Sequence, residues 1–258
     1  MTIPNDAVAV FTIVHEEQYH LPIWFDYYGA QDFIPYVLFH NETEEDYELD
    51  ASPDGFYLQH DEWFDHAWLL KTVQDFQRFL FNSYDIVIYT DVDELLAPRP
   101  PRTLREYIEE FRLSEDLVRT ATGIEVVQTD GVELDTKKPI LAQRQYGFYS
   151  PLYNKTLISK VPLEWCAGFH QVKLPLFAPA TPDPNLGLFH LHRADWQACL
   201  ERHQAAKDRN WSKTDMENGA GKQWTITEEN ALRRWFYKDD GAGNQPQFVR
   251  LDYWQGAI

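Results

Sequence analysis

Residues 85–94 read Asp-Ile-Val-Ile-Tyr-Thr-Asp-Val-Asp-Glu, a short run of strand-forming apolar side chains that closes on two carboxylates one residue apart. A continuously apolar run of this length predicts a strand buried on both faces, as in a sheet covered by helices. In an extended segment, side chains two apart project to the same side, so Asp91 and Asp93 are expected to converge while Val92 turns away. Two carboxylates at the carboxyl end of a buried strand suit a hard divalent cation such as Mg2+ or Mn2+, and such a cation commonly carries a substrate's phosphates. The plain alternative is a strand end capped by polar residues, and a bare Asp-x-Asp occurs often by chance. The apolar residues on either side, Ile86-Val87-Ile88-Tyr89 and Leu95-Leu96, favour the metal reading.

The flanking sequence alternates in the same sense. Val8–Val14 reads as a first buried strand, and Tyr19–Tyr28 as a helix with Pro22 in its first turn and Gly29 as the residue just past its end. Tyr36–His40 reads as a second strand, Asn41–Asp50 as an acidic loop, and Phe56–Gln59 as a third strand. A long amphipathic helix over Glu62–Asn82 leads into the strand that ends at Asp91. Pro98, Pro100 and Pro101 break the chain before a helix at Thr103–Phe111. Gly123 to Leu191 reads as short strands and loops, a last helical region starts near Asp195, and Asp239–Gln247 reads as a mobile loop. Strand–helix–strand alternation predicts a mostly parallel sheet with helices on both faces, and ligands of such sheets sit outside the carboxyl ends of the strands.

Charge and cysteine content narrow the partners. The chain has 258 residues, 44% of them hydrophobic, with 23 basic against 41 acidic side chains, a net charge of −18. That length allows one large α/β domain or two small ones, of which one is favoured, and a surface so acidic repels nucleic acid and anionic membrane. Cys166 and Cys199 are the only cysteines, and the apolar run Ala7–Val14 is too short to span a bilayer. A reduced, cytoplasmic protein without an integral membrane segment is expected. Oligomeric state is not legible.

Three further stretches carry chemistry-bearing side chains. In Leu188-Phe189-His190-Leu191-His192 a strand would set both imidazoles on one side, as metal ligands or as core histidines held by backbone groups. Asn154-Lys155-Thr156-Leu157-Ile158-Ser159-Lys160, with Arg144 before it, could line a phosphate or sugar site or form the solvated face of a strand. Glu164-Trp165-Cys166-Ala167-Gly168-Phe169-His170 combines a carboxylate, an indole and an imidazole; Glu164 or His170 could act as a general base, or the stretch could be a turn packed on the core. His15-Glu16-Glu17-Gln18-Tyr19-His20 is not a zinc-protease signature. Its histidines are five apart, which rotates them by about 140° on a helix.

Taken together, these residues resemble the glycosyltransferase family 2-like proteins, which have the GT-A fold. Thr12-Ile13-Val14-His15-Glu16-Glu17 with Leu21-Pro22-Ile23-Trp24-Phe25-Asp26-Tyr27-Tyr28 is similar to that family's first strand, its Asn-Glu turn and the helix that follows. Tyr89-Thr90-Asp91-Val92-Asp93-Glu94-Leu95-Leu96 matches its metal motif, and Asn154-Lys155-Thr156, Gly168-Phe169-His170 and His190-Leu191-His192 resemble its late lysine and histidine elements. The resemblance covers about residues 8–205. It implies a single α/β GT-A-type domain over 1–210 with a C-terminal helical and loop extension, 211–258, packed on it. It also implies transfer of a sugar from a nucleotide-diphosphate donor to an acceptor hydroxyl, on a glycan or a glycoconjugate precursor, with Mn2+ or Mg2+ as cofactor.

On this resemblance Asp91 and Asp93 hold the metal with His190 and His192. Asp91, Lys155 and Glu16 bind the donor, and Glu164 and His170 are the catalytic candidates. Two positions depart from the family: His15 replaces an Asn, and His40-Asn41-Glu42-Thr43-Glu44-Glu45 lacks the Asp expected at position 40, which leaves the base of the donor open. Two rivals remain. One is a non-catalytic sugar- or partner-binding domain derived from a transferase. The other is a haloacid dehalogenase-type phosphatase, disfavoured because Leu95 stands where its motif needs Thr or Val.

Overall fold

A computed structural model describes residues 7–49, 53–62, 65–173, 181–207, 209–238 and 248–258. The predicted loop at 239–247 lies outside the described residues. The chain folds as an α/β protein around a ten-stranded sheet.

The strands β1 (Val8–Val14), β2 (Ile34–His40), β3 (Asp54–Leu58) and β4 (Ile86–Tyr89) form its parallel part, with β1 at the centre. All four β4 residues are fully buried, as the apolar run requires. The helix α1 (His20–Gly29) follows β1, and α2 (His66–Leu80) precedes β4. α1 buries Leu21, Trp24 and Tyr28, spaced for one helix face. Trp24 donates to the Thr90 hydroxyl at 2.7 Å, and Tyr27 to the Leu96 carbonyl at 2.7 Å, so α1 is pinned to the chain on both sides of the Asp91–Asp93 segment. Pro22 stands in the first turn, where its missing N–H costs nothing. Gly29 is the last helical residue and Ala30 the cap, both right-handed; the left-handed turn falls to Asp32 (φ 58°), so Gly29 is not the terminating residue its position suggested.

α2 starts at His66, not at Glu62, because Asp65 caps it by accepting from the Ala67 and Trp68 amides. Its buried stripe of Val73, Phe76 and Leu80 sits on the sheet, each side chain contributing about 1.5–3 kcal/mol by leaving water.

Beyond β4 the sheet is mixed. β5 (Glu94–Pro98) runs antiparallel to β9 (Asp183–Arg193), and β9 runs parallel to β6 (Val118–Val127). β6 is antiparallel to β8 (Thr156–Ser159) along its first half and to β7 (Tyr146–Tyr149) along its second. β8 joins β4 antiparallel, and the short β10 (Val249–Arg250) edges β7. The expectation of a mostly parallel sheet is therefore corrected. The periodicity of the middle of the chain shows that strands exist but not their direction. The 128–145 connection reverses the chain between β6 and β7 with only the single turn of Ile140–Gln143, and 150–155 then carries it from β7 to β8 in the same sense along β6.

The remaining helices are α3 (Leu104–Leu113), capped by Thr103 and Glu106, α4 (Ile140–Gln143), α5 (Trp196–Ala206), α6 (Lys213–Asn218) and α7 (Glu229–Phe236). α5 is capped by Asp195 and packs Cys199 against Leu232 and Phe236 of α7. Asp215 of α6 accepts from the His66 backbone amide at 2.7 Å, which ties the C-terminal segment to the start of α2. Among the described residues no helix is long and apolar enough to cross a membrane.

Candidate active site

β4 stops at Tyr89, and Val92 and Asp93 form a turn closed by the Glu94 amide donating to the Asp91 carbonyl at 3.0 Å. Asp91 and Asp93 therefore do not share one face of a strand, and each takes its own partners. Asp91 sits at the edge of a cleft of about 560 Å3 that runs past the carboxyl ends of β1 and β4. Its carboxylate accepts from the Tyr89 hydroxyl (2.7 Å) and from Lys155 Nζ (2.6 Å). Lys155 also reaches Glu94 at 2.7 Å and is itself almost wholly buried. Burial works against its charge, but the Asp91 and Glu94 carboxylates overcome this and raise its pKa, so it stays an ammonium.

Asp93 lies deeper. Its Oδ2 is 3.4 Å from His190 Nε2, 3.9 Å from His192 Nδ1 and 2.5 Å from the Arg202 guanidinium of α5. Burial opposes its ionisation, yet Arg202 and His190 hold its pKa well below the usual carboxylate range. The β9 register explains the two imidazoles: two residues apart, they lie on the same side of the strand, and His190 pairs with Glu94 of β5 and Glu125 of β6. The Leu191 amide donates to the Asp93 carbonyl at 2.8 Å, which locks the turn onto β9.

Each imidazole is held from behind. His190 Nδ1 lies 2.9 Å from the buried Glu125 carboxylate, and its ring stacks on Tyr153 with centroids 4.4 Å apart. Burial disfavours its charge, but Glu125 and Asp93 raise its pKa well above the ordinary imidazole value. His192 Nε2 lies 3.0 Å from His203 Nε2; burial and the neighbouring Arg202 keep His192 neutral. Trp224 and Trp235 flank His192 and His203 at 5.0–5.4 Å and line the cleft.

Asp93, His190 and His192 are thus brought together, all buried, with their ligand atoms within 4.8 Å of one another. Asp91 is not part of that group. These residues fit a divalent cation: one carboxylate and two imidazoles converge, and each imidazole uses its outer nitrogen on a partner, the arrangement that orients metal-binding histidines. Arg202 occupies the same carboxylate oxygen and supplies the positive charge there, bridging Asp93 to Glu17 (2.7 Å).

The other expected site residues scatter. His170 is exposed as a residue yet lines the cleft mouth, where enclosure of its ring and the nearby Lys155 push its pKa down to about 4. Glu164 is exposed and does not line the cleft. Glu16 is exposed, with a left-handed backbone (φ 55°), and binds Arg209 at 2.7 Å; its neighbour Glu17 is the one buried in the cleft wall. Arg144 is a structural staple, donating to the Ala194 and Val132 carbonyls at 2.5 and 2.6 Å. The two departures at the N-terminal side prove to be one feature: His15 Nδ1 donates to the His40 carbonyl at 2.7 Å, the rings lie 4.9 Å apart, and both line the cleft.

Glu17, Glu125, Tyr153, Arg202, Trp224 and Trp235 escaped the reading of the sequence. Glu125 carries a signal, a charged residue inside an apolar strand, since such a group is buried only with a partner. Arg202 carries none, because nothing in α5 says which face meets the cleft.

No family model matches the chain, and no curated protein does. Among solved structures, one similar chain is the 4-diphosphocytidyl-2C-methyl-D-erythritol synthase of Anaerococcus prevotii. It is 11% identical, with a TM-score of 0.27, over 50% of this chain and 59% of that one. The match spans only about half of this chain and less than two thirds of that one, and a likeness so faint carries nothing about activity.

Proposed function

We propose that this protein is a metal-assisted glycosyltransferase that takes its sugar from a nucleotide-diphosphate donor and passes it to an acceptor hydroxyl on a glycan or related conjugate. The observation that carries this reading is the convergence of Asp93, His190 and His192, each imidazole braced from behind, past the carboxyl end of β4 in the cleft. Two imidazoles beside one carboxylate favour Mn2+ over Mg2+. Bound there, the cation would supply charge neutralisation to the departing diphosphate.

The chain's own residues take the remaining tasks. Lys155 is fixed as an ammonium beside Asp91 and adds positive charge at the cleft edge. Asp91, more exposed than Asp93, is placed to accept hydrogen bonds from the donor's ribose. Trp224, Trp235 and Tyr153 offer apolar faces for sugar rings. Of the two catalytic candidates, His170 lines the cleft, and Glu164, outside the lining, is set aside. The lowered pKa of His170 keeps its ring neutral and able to accept a hydrogen bond from the acceptor hydroxyl, though it makes the ring a weak base.

A second reading has its own support. Arg202 and Lys155 already neutralise Asp93 and Asp91, which suits a domain that binds an anionic sugar ligand without metal and without turnover. A thermal-shift screen of sugar nucleotides, each with and without Mn2+, separates the two. A shift that needs both donor and Mn2+, and that disappears in Asp93→Ala, upholds the transferase. A donor shift indifferent to metal and to Asp93 favours the binding domain.

A further inference from the structure

His192 presents its two ring nitrogens to different neighbours, Nε2 to His203 Nε2 at 3.0 Å and Nδ1 to Asp93 Oδ2 at 3.9 Å. His203 Nδ1 lies in turn 3.1 Å from the Ile226 carbonyl. A carbonyl oxygen only accepts, so the His203 proton sits on Nδ1 and its Nε2 keeps a lone pair. The contact between the two Nε2 atoms is then a hydrogen bond only if His192 is the donor. With its proton on Nε2, His192 keeps its lone pair on Nδ1, facing Asp93.

We propose that His203, seated on the Ile226 carbonyl, is a positioning residue that fixes the tautomer of His192 and thereby makes its Nδ1 a ligand for a divalent cation at Asp93. This rests on the metal-assisted reading above and extends the site one layer outward.

The two imidazoles are wired alike. Glu125 takes the outer N–H of His190, and His203 takes the outer N–H of His192, so both inner nitrogens are aimed at Asp93. A lone pair facing a carboxylate is unfavourable unless a cation lies between them, and Arg202 provides that charge here. Trp224 and Trp235 pack on both histidines and shield the Nε2–Nε2 hydrogen bond. Ile226 belongs to the segment after residue 210, so the C-terminal extension reaches the site through this relay.

One competing arrangement uses the same atoms. Cys199 lies within 4.8 Å of the His192 and His203 ligand atoms, and a soft cation held by Cys199 and by both Nε2 atoms would need a lone pair on each of them. That places both imidazole protons on Nδ1, the opposite tautomer for His192.

Long-range 1H–15N spectra of the metal-free protein, labelled at histidine, read the tautomer directly. The expected result is His192 protonated on Nε2 and bare on Nδ1. His203→Leu removes the acceptor and should mix the tautomers. It should also weaken Mn2+ binding, followed by the resonance of free Mn2+, by about 10–100-fold. His203→Gln, whose amide oxygen can accept the same N–H, should restore most of both signals. Protonation of His192 on Nδ1, or Mn2+ affinity unchanged in His203→Leu, overturns the proposal. So does a thiolate-to-cobalt charge-transfer band in the Co2+-loaded protein that Cys199→Ser abolishes. If the tautomer holds but no sugar nucleotide binds, the wiring stands and the transferase reading fails.

Discussion

The Arg202 guanidinium lies 2.5 Å from Asp93 Oδ2 and reaches Glu17 with its other nitrogens, so one cation from α5 holds two buried carboxylates from two different loops. Arg202 also stacks over the Trp224 ring at 4.7 Å. Its charge stands beside the group of Asp93, His190 and His192, and each arrangement neutralises the same carboxylate.

Removing that guanidinium should expose the competition. In Arg202→Met, Asp93 and Glu17 remain buried without their cation, and a broken buried pair of this kind costs about 3–5 kcal/mol. The melting midpoint should fall, and Mn2+ alone should recover part of the loss, because it restores charge at Asp93. In the wild type, Mn2+ without donor should shift the midpoint less. Equal shifts in both proteins would place the cation away from Asp93.

The two lysines singled out in the sequence should separate sharply. Lys155 is buried between Asp91 and Glu94, whereas Lys160 donates to the Ser114 carbonyl near the surface. Lys155→Met leaves Glu94 buried without a counter-charge, while solvent screens part of the Asp91 charge, so a loss of about 3 kcal/mol is expected. Lys160→Met should cost less than about 1 kcal/mol. Urea midpoints of the two variants test the order, and a Lys160 variant as unstable as the Lys155 one would refute it.

These residues also show where legibility ended. The apolar run into Asp91, the helix starts near Thr103 and Asp195, and the spacing of His190 and His192 depend on neighbours in the chain, and local periodicity reveals them. The Asp65 cap, by contrast, shortens a helix whose pattern begins at Glu62. The convergence of Asp91 and Asp93 was misread because the strand was extended two residues too far; the Glu94 amide turns back to the Asp91 carbonyl instead. Glu17 meets Arg202 only where the loop after β1 faces α5, and Glu125 meets His190 only where β6 lies beside β9; such long-range pairing leaves no periodic trace. The direction of β7 and β8 was lost for the same reason, since a strand's side-chain pattern is blind to its sense.

The two thiols should differ in reactivity. Burial pushes the Cys199 pKa up to about 12, against the pull of Arg202 and Arg193, while Cys166 is partly exposed. At pH 8 the thiolate fraction of Cys199 is then on the order of one in ten thousand, and only the thiolate is nucleophilic. Iodoacetamide on the native protein should add a single group, at Cys166, with the second adduct appearing only after denaturation. Mass spectrometry of the digested protein checks the position, and labelling of native Cys199 would mean that α5 opens from α7.

Gly123 couples the sheet to the site. A Cβ there would lie 2.5 Å from both the Cβ and the carbonyl carbon of Tyr153 and 2.6 Å from the Ser150 carbonyl oxygen. Backbone atoms cannot swing aside, so Gly123→Ala must displace the turn at 150–153. Overpacking of this sort costs about 1–3 kcal/mol. The displaced turn carries Tyr153, whose ring covers His190, and the Asn154 side chain that accepts from the Gly123 amide at 2.8 Å. Gly123→Ala should therefore weaken Mn2+-dependent donor binding by more than its loss of stability explains, measured at a temperature where the variant is fully folded. Tyr153→Phe, which keeps the ring over His190, should bind as the wild type does. Normal binding by Gly123→Ala would show that the stack on His190 does not set the geometry of the imidazole.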